Sequence, residues 1–275
     1  MITFPNCKVN LGLRIVARRN DGYHDLETIF LPIPFEDCLE IELSKDATTL
    51  TVSGLPIEGA ADSNLCMKAY MLLKQKFDLP PIDIKLHKQI PTGAGLGGGS
   101  SDAAFMLKLL NDKFSLQLTT SELSDFASQL GSDCAFFILN KPCVGTGRGE
   151  VLDPVELPQL QGLSGVLVMP GIHISSAWAF QQITASVPAK NIREIIASPI
   201  ENWRKELQND FETPVFNTHP ALKIIKEQLY ASGALYASLS GSGSALYGVF
   251  RELPSITFQP GYLVKSFALL PKERE

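Results

Sequence analysis

The chain has 275 residues, is 45% hydrophobic and 19% charged, and carries a formal net charge of −5. That length admits one large domain or two moderate ones, with a core that needs no staples. The acidic balance argues against a general nucleic-acid or anionic-membrane binder, while leaving room for a local basic pocket. Cys7, Cys38, Cys66, Cys134 and Cys143 are scattered, form no Cys-x-x-Cys pair and have no clustered histidines beside them. A disulfide framework or structural zinc site is therefore not expected. The start MITFPNCKVNLGL lacks the pattern of a signal peptide, and no run approaches the ~18 apolar residues of a membrane span. The expectation is a cytoplasmic protein, monomeric or homodimeric, with no nucleic-acid or membrane partner.

In chain order, residues 9–16 and 38–43 are apolar and branched enough for strands. Leu65, Ala69, Leu72, Leu73 and Lys76 share one stripe, which predicts a helix from Asp62 to Phe77 capped by Asp62 or Ser63. Residues 82–90, IDIKLHKQI, alternate as a half-buried strand does. Ala103, Met106, Leu107 and Leu110 predict a helix starting near Ser101. Thr119-x-x-Glu122 is a capping box for a helix that Gly131 stops. Ala135 to Leu139 reads as a short buried strand, which Asp133 is about to enter.

The turn-rich stretch 151–165 is the best boundary, dividing the chain into 1–153 and 154–275. Beyond it come a strand at 165–171 and helices at 175–184 and 221–232, the latter ended by Gly233. Two strands follow within 235–250, joined by a glycine–serine turn, and a last strand at 262–267. Helices and strands mix without regular βα alternation, which favours an α+β fold.

One stretch demands a ligand. IPTGAGLGGGSSD (90–102) places five glycines between Gly93 and Gly99, after a strand and before a helix. Such a loop offers unobstructed N–H donors and the positive end of a helix dipole, a cradle for phosphate. The bland reading is a tight turn needing left-handed backbone. The Walker pattern fails, because Gly99 stands where a lysine should precede Ser100. Gly93, Gly95 and Gly98 match a dinucleotide fingerprint, but the preceding strand alternates and a capped helix stands where the second, acid-ended strand belongs.

A third template fits. Pro91-x-x-x-Gly95-Leu96-Gly97-x-x-Ser100-Ser101 resembles the phosphate loop of the GHMP kinases. KVNLGLRIVARRNDGYHDLETIF (8–30) is similar to the N-terminal motif of one branch of that family, and SLSGSGSALYG (238–248) to its third, C-terminal glycine motif. The resemblance implies a two-domain α+β GHMP kinase fold, with an N-terminal domain of the ribosomal protein S5 domain 2-like type and a ferredoxin-like C-terminal domain. The implied activity uses ATP and Mg²⁺ to phosphorylate the 2-hydroxyl of a small-molecule substrate, a cytidine diphospho-methylerythritol. That step belongs to the non-mevalonate (methylerythritol phosphate) route to isoprenoid precursors.

The resemblance also assigns residues. Asp133 is the implied general base and Lys8, placed beside it in the family, stabilises charge; taken alone, the first reads as a turn residue and the second as a solvated lysine. Pro91, Gly93, Ala94, Gly95, Leu96, Gly97, Gly98, Gly99, Ser100 and Ser101 would hold the ATP phosphates, with Asn64 and Lys88 near the adenosine. No metal ligand set is evident, although the Ser101 hydroxyl is a candidate for Mg²⁺. Tyr23 and His24 of Asp-Gly-Tyr-His, a motif that also reads as a hairpin turn, belong by resemblance to the cytidine pocket. Phe180 aligns with the aromatic on the other face of the base, or is a core residue. Asn10 would orient the erythritol group, and Gly241, Ser242 and Gly243 would approach the substrate's phosphates. Alternatives are a GHMP kinase for mevalonate, homoserine or a sugar, an inactive nucleotide-binding regulator, and a dinucleotide-dependent oxidoreductase.

Overall fold

Long-range contacts divide the chain into two compact units that interleave along the sequence. One takes Met1–Cys7, Phe35–Thr92 and Gly97–Lys141; the other takes Lys8–Pro34, Gly93–Leu96 and the residues from Pro142 on. The computed structural model describes residues 1–57 and 59–270. Its first six strands are β1 (Ile2–Thr3), β2 (Asn6–Arg18), β3 (His24–Glu36), β4 (Cys38–Leu43), β5 (Thr49–Gly54) and β6 (Ile82–Lys88). The others are β7 (Cys143–Thr146), β8 (Val151–Pro154), β9 (Ser164–Met169), β10 (Tyr236–Leu239), β11 (Leu246–Phe250) and β12 (Leu263–Ala268). Four helices precede β7: α1 (Leu65–Lys74), α2 (Gly98–Lys113), α3 (Thr120–Leu130) and α4 (Cys134–Leu139). Five follow β9: α5 (Ser176–Gln181), α6 (Ile192–Ala197), α7 (Ile200–Glu206), α8 (Glu212–Thr218) and α9 (Pro220–Ala231).

The first unit holds a sheet in the order β1-β4-β6-β5. Strand β6 runs antiparallel to β4, with Ile84 opposite Ile41, and parallel to β5. Its alternation is as the sequence predicts: Ile82, Ile84, Leu86 and Lys88 face inward together. Helices α1 and α2 pack together, as do α3 and α4. Helix α1 starts later than predicted, because Ala61–Ser63 forms a separate 3₁₀ turn and Asn64 takes the cap, its side chain accepting from Cys66 N at 2.8 Å. Helix α2 starts three residues before Ser101, directly after Gly97, whose φ of 70° turns the chain into the first helical N–H groups.

The predicted strand at 135–139 is helix α4, and Asp133 therefore sits at a helix N-cap position instead of before a strand. A short run such as CAFFI, buried throughout, carries no periodicity to separate the two states. Asn140 at φ 49° ends the helix in the left-handed region.

The second unit holds the sheets β2-β3-β7-β8 and β10-β11-β9-β12. The Asp21–Gly22 turn, with Gly22 at φ +85°, joins β2 to β3. Helices α5, α8 and α9 and strands β9, β10 and β11 close over a core that includes Val166, Leu222, Ile225, Leu229 and Leu246. Helices α6 to α8 are too short, at six or seven residues, to show a period in the sequence. Trp203 of α7 is fully buried, and its indole N–H donates to Ser198 O at 3.2 Å.

The capping box of α3 is complete: Thr119 Oγ1 accepts from Glu122 N, and the Glu122 carboxylate accepts from Thr119 N at 2.8 Å. Thr119→Ala is expected to lower stability by about 1 kcal/mol, read as a shift in denaturant midpoint. Thr119→Ser is expected to restore it.

Candidate active site

Alternation alone puts Lys88 on the buried face of β6, and a buried ammonium needs compensating charge. Two carboxylates supply it. Lys88 Nζ donates to Asp37 Oδ2 and, at 2.6 Å, to Asp102 Oδ2, with only 1% of the lysine side chain exposed. Burial works against the charge on Lys88, yet Asp102 and Asp37 outweigh it and hold its pKa above the ordinary lysine value. Asp37 Oδ1 also accepts the backbone N–H groups of Gln89 and Ile90, at 2.5 and 2.9 Å, and so fixes the chain just before Pro91. Asp102 shares one cation with a second carboxylate in a buried site, and its pKa is pushed up to about 7, chiefly by that burial. The structure thus places Lys88 against the start of α2, committed to two acids.

Above this triad the loop passes into α2. An added Cβ at Gly98 would lie 2.9 Å from Ile90 Cγ2 and 3.4 Å from Lys88 Nζ, so the helix start packs on the triad without side chains. The first turn of α2 offers N–H groups with no intrahelical partner and the positive end of a sixteen-residue helix. Two buried polar atoms in this turn, Ser101 Oγ and Asp102 Oδ1, have no hydrogen-bond partner among the described residues. Native interiors rarely leave such atoms unpaired, so this helix end has polar groups free to meet a polar ligand or water. Cys134 at the start of α4 lies against Ser100, and burial pushes its thiol up to about 11. All five cysteines stand as thiols.

In the second unit, β2 presents Lys8 and Asn10 on one face. Lys8 Nζ donates to Asn10 Oδ1 at 2.6 Å, Asn10 Nδ2 to Thr28 Oγ1 at 3.0 Å, and Thr28 Oγ1 to Gly12 O at 2.5 Å. Tyr247 from β11 donates to Asn10 O at 2.7 Å. Every member of this chain is buried, so the ammonium is held in one orientation. The two glycine motifs meet beside it. Ser240 Oγ donates to Gly95 O at 2.9 Å, and Ala245 N donates to Ala94 O at 3.1 Å. An added Cβ at Gly95 would fall 1.9 Å from Ser240 O, so only glycine allows this approach.

The residues that the resemblance assigns to a cytidine pocket do not form one cluster. His24 and Phe180 stack at 5.2 Å with a 17° interplanar angle, and Phe180 meets Phe211 edge-on at 4.9 Å. Tyr23, 56% exposed, instead carries the Arg148 guanidinium 5.0 Å above its ring. Ser242 Oγ lies 2.8 Å from Ser176 Oγ, and Gly243 N donates to Ser240 O at 2.9 Å to close the third motif's turn. Sequence reading overlooked Asp37, Asp102, Thr28 and Arg148. The phase of Lys88 on β6 was the available signal for the first two.

Comparison with known proteins gives these features a class. Residues 64–141 match the family model "GHMP kinases N terminal domain", and residues 189–256 match "GHMP kinases C terminal". The chain belongs to the GHMP kinase family, with that family's fold, and is a small-molecule kinase using ATP. Within the family it is similar to the 4-diphosphocytidyl-2-C-methyl-D-erythritol kinase of Bacteroides fragilis, with 52% identity covering 94% of each chain. It is likewise similar to that of Porphyromonas gingivalis, with 50% identity over 93% of this chain and 94% of the relative. A solved 4-(cytidine 5'-diphospho)-2C-methyl-D-erythritol kinase superposes with a TM-score of 0.76 at 31% identity, covering 90% of both chains. A homoserine kinase from Cytophaga hutchinsonii shares the fold, with a TM-score of 0.74 at 15% identity over 98% of this chain and 94% of its own.

The raised Asp102 pKa has a testable sign. The native state binds a proton at Asp102 that the unfolded chain releases at the ordinary value of 3.8, so this group lowers stability as pH rises from about 4 to about 7. Asp102→Asn is expected to be more stable than the parent at pH 8, with the difference shrinking towards pH 5 in denaturant titrations. An Asn variant equally destabilised at every pH would show that the carboxylate is ionised throughout.

Proposed function

We infer that the chain transfers the γ-phosphoryl group of ATP to the 2-hydroxyl of 4-diphosphocytidyl-2-C-methyl-D-erythritol, in the non-mevalonate route to isoprenoid precursors. The observation that carries this reading is 52% identity, covering 94% of both chains, to a kinase of that name. The presence of Lys8 and of Asp-Gly-Tyr-His at 21–24 in the sequence supports it. The homoserine and mevalonate kinases that share the fold do so at 13–19% identity, which speaks to architecture alone.

Phosphoryl transfer asks the protein for position and charge more than for covalent chemistry. In this reading Gly93, Ala94, Gly95, Leu96, Gly97, Gly98, Gly99, Ser100 and Ser101 cradle the ATP phosphates, with Pro91 setting the loop's entry and Asn64 beside the adenosine. Lys88 serves that cradle from below through Asp37 and Asp102. Asp133 takes the proton of the 2-hydroxyl. Lys8, oriented by Asn10, spreads the charge that develops on the transferred group. Asn10 keeps a second amide N–H for the erythritol. Tyr23, His24 and Phe180 recognise the cytosine, and Gly241, Ser242 and Gly243 offer backbone to the acceptor's phosphates.

In this reading Mg²⁺ is carried in by the nucleotide. The partnerless Ser101 hydroxyl is the group to hold it, and the ion would neutralise phosphate charge. The enzyme is read as cytoplasmic, a monomer or homodimer acting on a small molecule; no described helix is long and apolar enough to cross a membrane. The domains are taken as 1–153 and 154–275, supported by the separate family matches at 64–141 and 189–256.

The decisive assay is ATP consumption with the cytidyl substrate, with mevalonate and homoserine as controls. Turnover with the cytidyl alcohol alone is expected; turnover with either control instead overturns the reading. Asp133→Asn and Lys8→Ala are each expected to cut kcat by about 100-fold or more while leaving affinity for a non-hydrolysable ATP analogue within about twofold. Tyr23→Ala is expected to raise the acceptor KM about tenfold with the ATP KM unchanged, as loss of a stacking face should.

A further inference from the structure

Between α7 and α8 the chain makes one buried turn, Asn209 to Glu212, that the sequence did not single out. Asn209 is 3% exposed. Its Nδ2 donates to Leu239 O and to Gly241 O, both at 2.9 Å, and its Oδ1 accepts Phe211 N at 2.9 Å. Both amide hydrogens and the carbonyl are thus used, with no room for a second arrangement. Gly241 sits at φ +56°, and an added Cβ there would lie 3.3 Å from Gly95 Cα and 3.5 Å from Asn10 Oδ1. The turn that follows has its own closing bond, Gly243 N to Ser240 O, but its direction is set by where the Gly241 carbonyl is tied.

The neighbours of Asn209 in the turn hold other parts of the same unit. Asp210 Oδ2 accepts Ile15 N at 2.7 Å on β2. Phe211 is the ring on which Phe180 rests, with His24 stacked beyond. Glu212 Oε1 accepts Ser238 Oγ and Leu239 N at 3.1 and 3.0 Å, and Oε2 pairs with Lys226. Glu212 therefore anchors strand β10, whereas Asn209 anchors the glycine turn after it.

We propose that Asn209 is a positioning residue for the acceptor: it fixes the Gly241 peptide so that the backbone of Gly241–Ser242–Gly243 addresses the acceptor's phosphates. A carboxamide is the group required, because two carbonyls and one N–H must be met by one side chain at one place. Aspartate has the same shape and keeps the bond to Phe211 N, but it has no donor and sets a negative charge against two carbonyl oxygens. The Gly241 peptide then loses its tether and rotates away from its productive direction. The third motif's hydrogen bonds to the ATP loop run through Ser240 and Ala245, not through the Gly241 carbonyl.

The inference rests on the assignment of the cytidyl alcohol as acceptor, and the test separates the two. Wild type, Asn209→Asp and Glu212→Gln are assayed for acceptor KM, ATP KM, kcat and thermal midpoint. Asn209→Asp is expected to raise the acceptor KM about tenfold, as loss of a buried carbonyl's partner implies, with the ATP KM within about twofold. Glu212→Gln is expected to lower the thermal midpoint and leave the acceptor KM unchanged. Equal KM changes in both variants, or a lower midpoint for Asn209→Asp with both KM values unchanged, overturns the proposal by making Asn209 merely structural. If Asn209→Asp does not fold, Asn209→Ser keeps one donor without the charge and is read in the same way. A wild type that ignores the cytidyl alcohol defeats the acceptor assignment itself, before any variant is compared.

Discussion

A lysine ammonium shut away from water beneath the phosphate loop is the constraint on which the first unit turns. Lys88 lies in phase with Ile82, Ile84 and Leu86 on β6, so the strand that feeds the loop buries it. An ammonium there without partners would be prohibitive. Asp37 and Asp102 relieve it, and in doing so tie three elements to one point: the chain after β3, the end of β6 and the first turns of α2. Asp37 extends the hold to the Gln89 and Ile90 N–H groups. The loop between them is then defined at both ends, and glycine within it can spend its conformational freedom on close approach instead of disorder.

The second unit also buries a lysine. Lys8 is 3% exposed; its ammonium donates to the Asn10 carboxamide and lies 5.3 Å from the Phe30 ring. Lys88 thus serves architecture, and it is Lys8 to which the proposed function gives a part in the chemistry.

Much of this was readable before any coordinates. The alternation of β6, the capping box at Thr119 and the strand pair flanking Ser240 to Ser244 are local signals, and each appears where the sequence put it. Helix α4 was misread because burial on all sides erases the period that separates helix from strand. Helices α6 to α8 left no mark because each is shorter than two repeats of its own period. The candidate site divides along the same line. The glycine motifs announce themselves by pattern and Lys8 follows from the resemblance they carry, but Asp37, Thr28 and Asn209 are ordinary residues whose work depends on partners 51, 18 and 32 positions away in sequence. No local reading finds such pairs. Only the parity of Lys88 hinted that an acid had to be nearby.

The bond from Ser240 to Gly95 spans 145 residues. Closing so long a loop adds little to its entropic cost, since that cost grows only as the logarithm of length; what it costs is time, because distant contacts form late. During synthesis the glycine-rich stretch emerges early, complete in composition, while the carbonyls and hydroxyls that shape its first half are still to be translated. A chain released before Ser240 would carry the nucleotide signature without the geometry that makes it useful. The shape of the loop's first half is thereby made contingent on a segment translated 145 residues later.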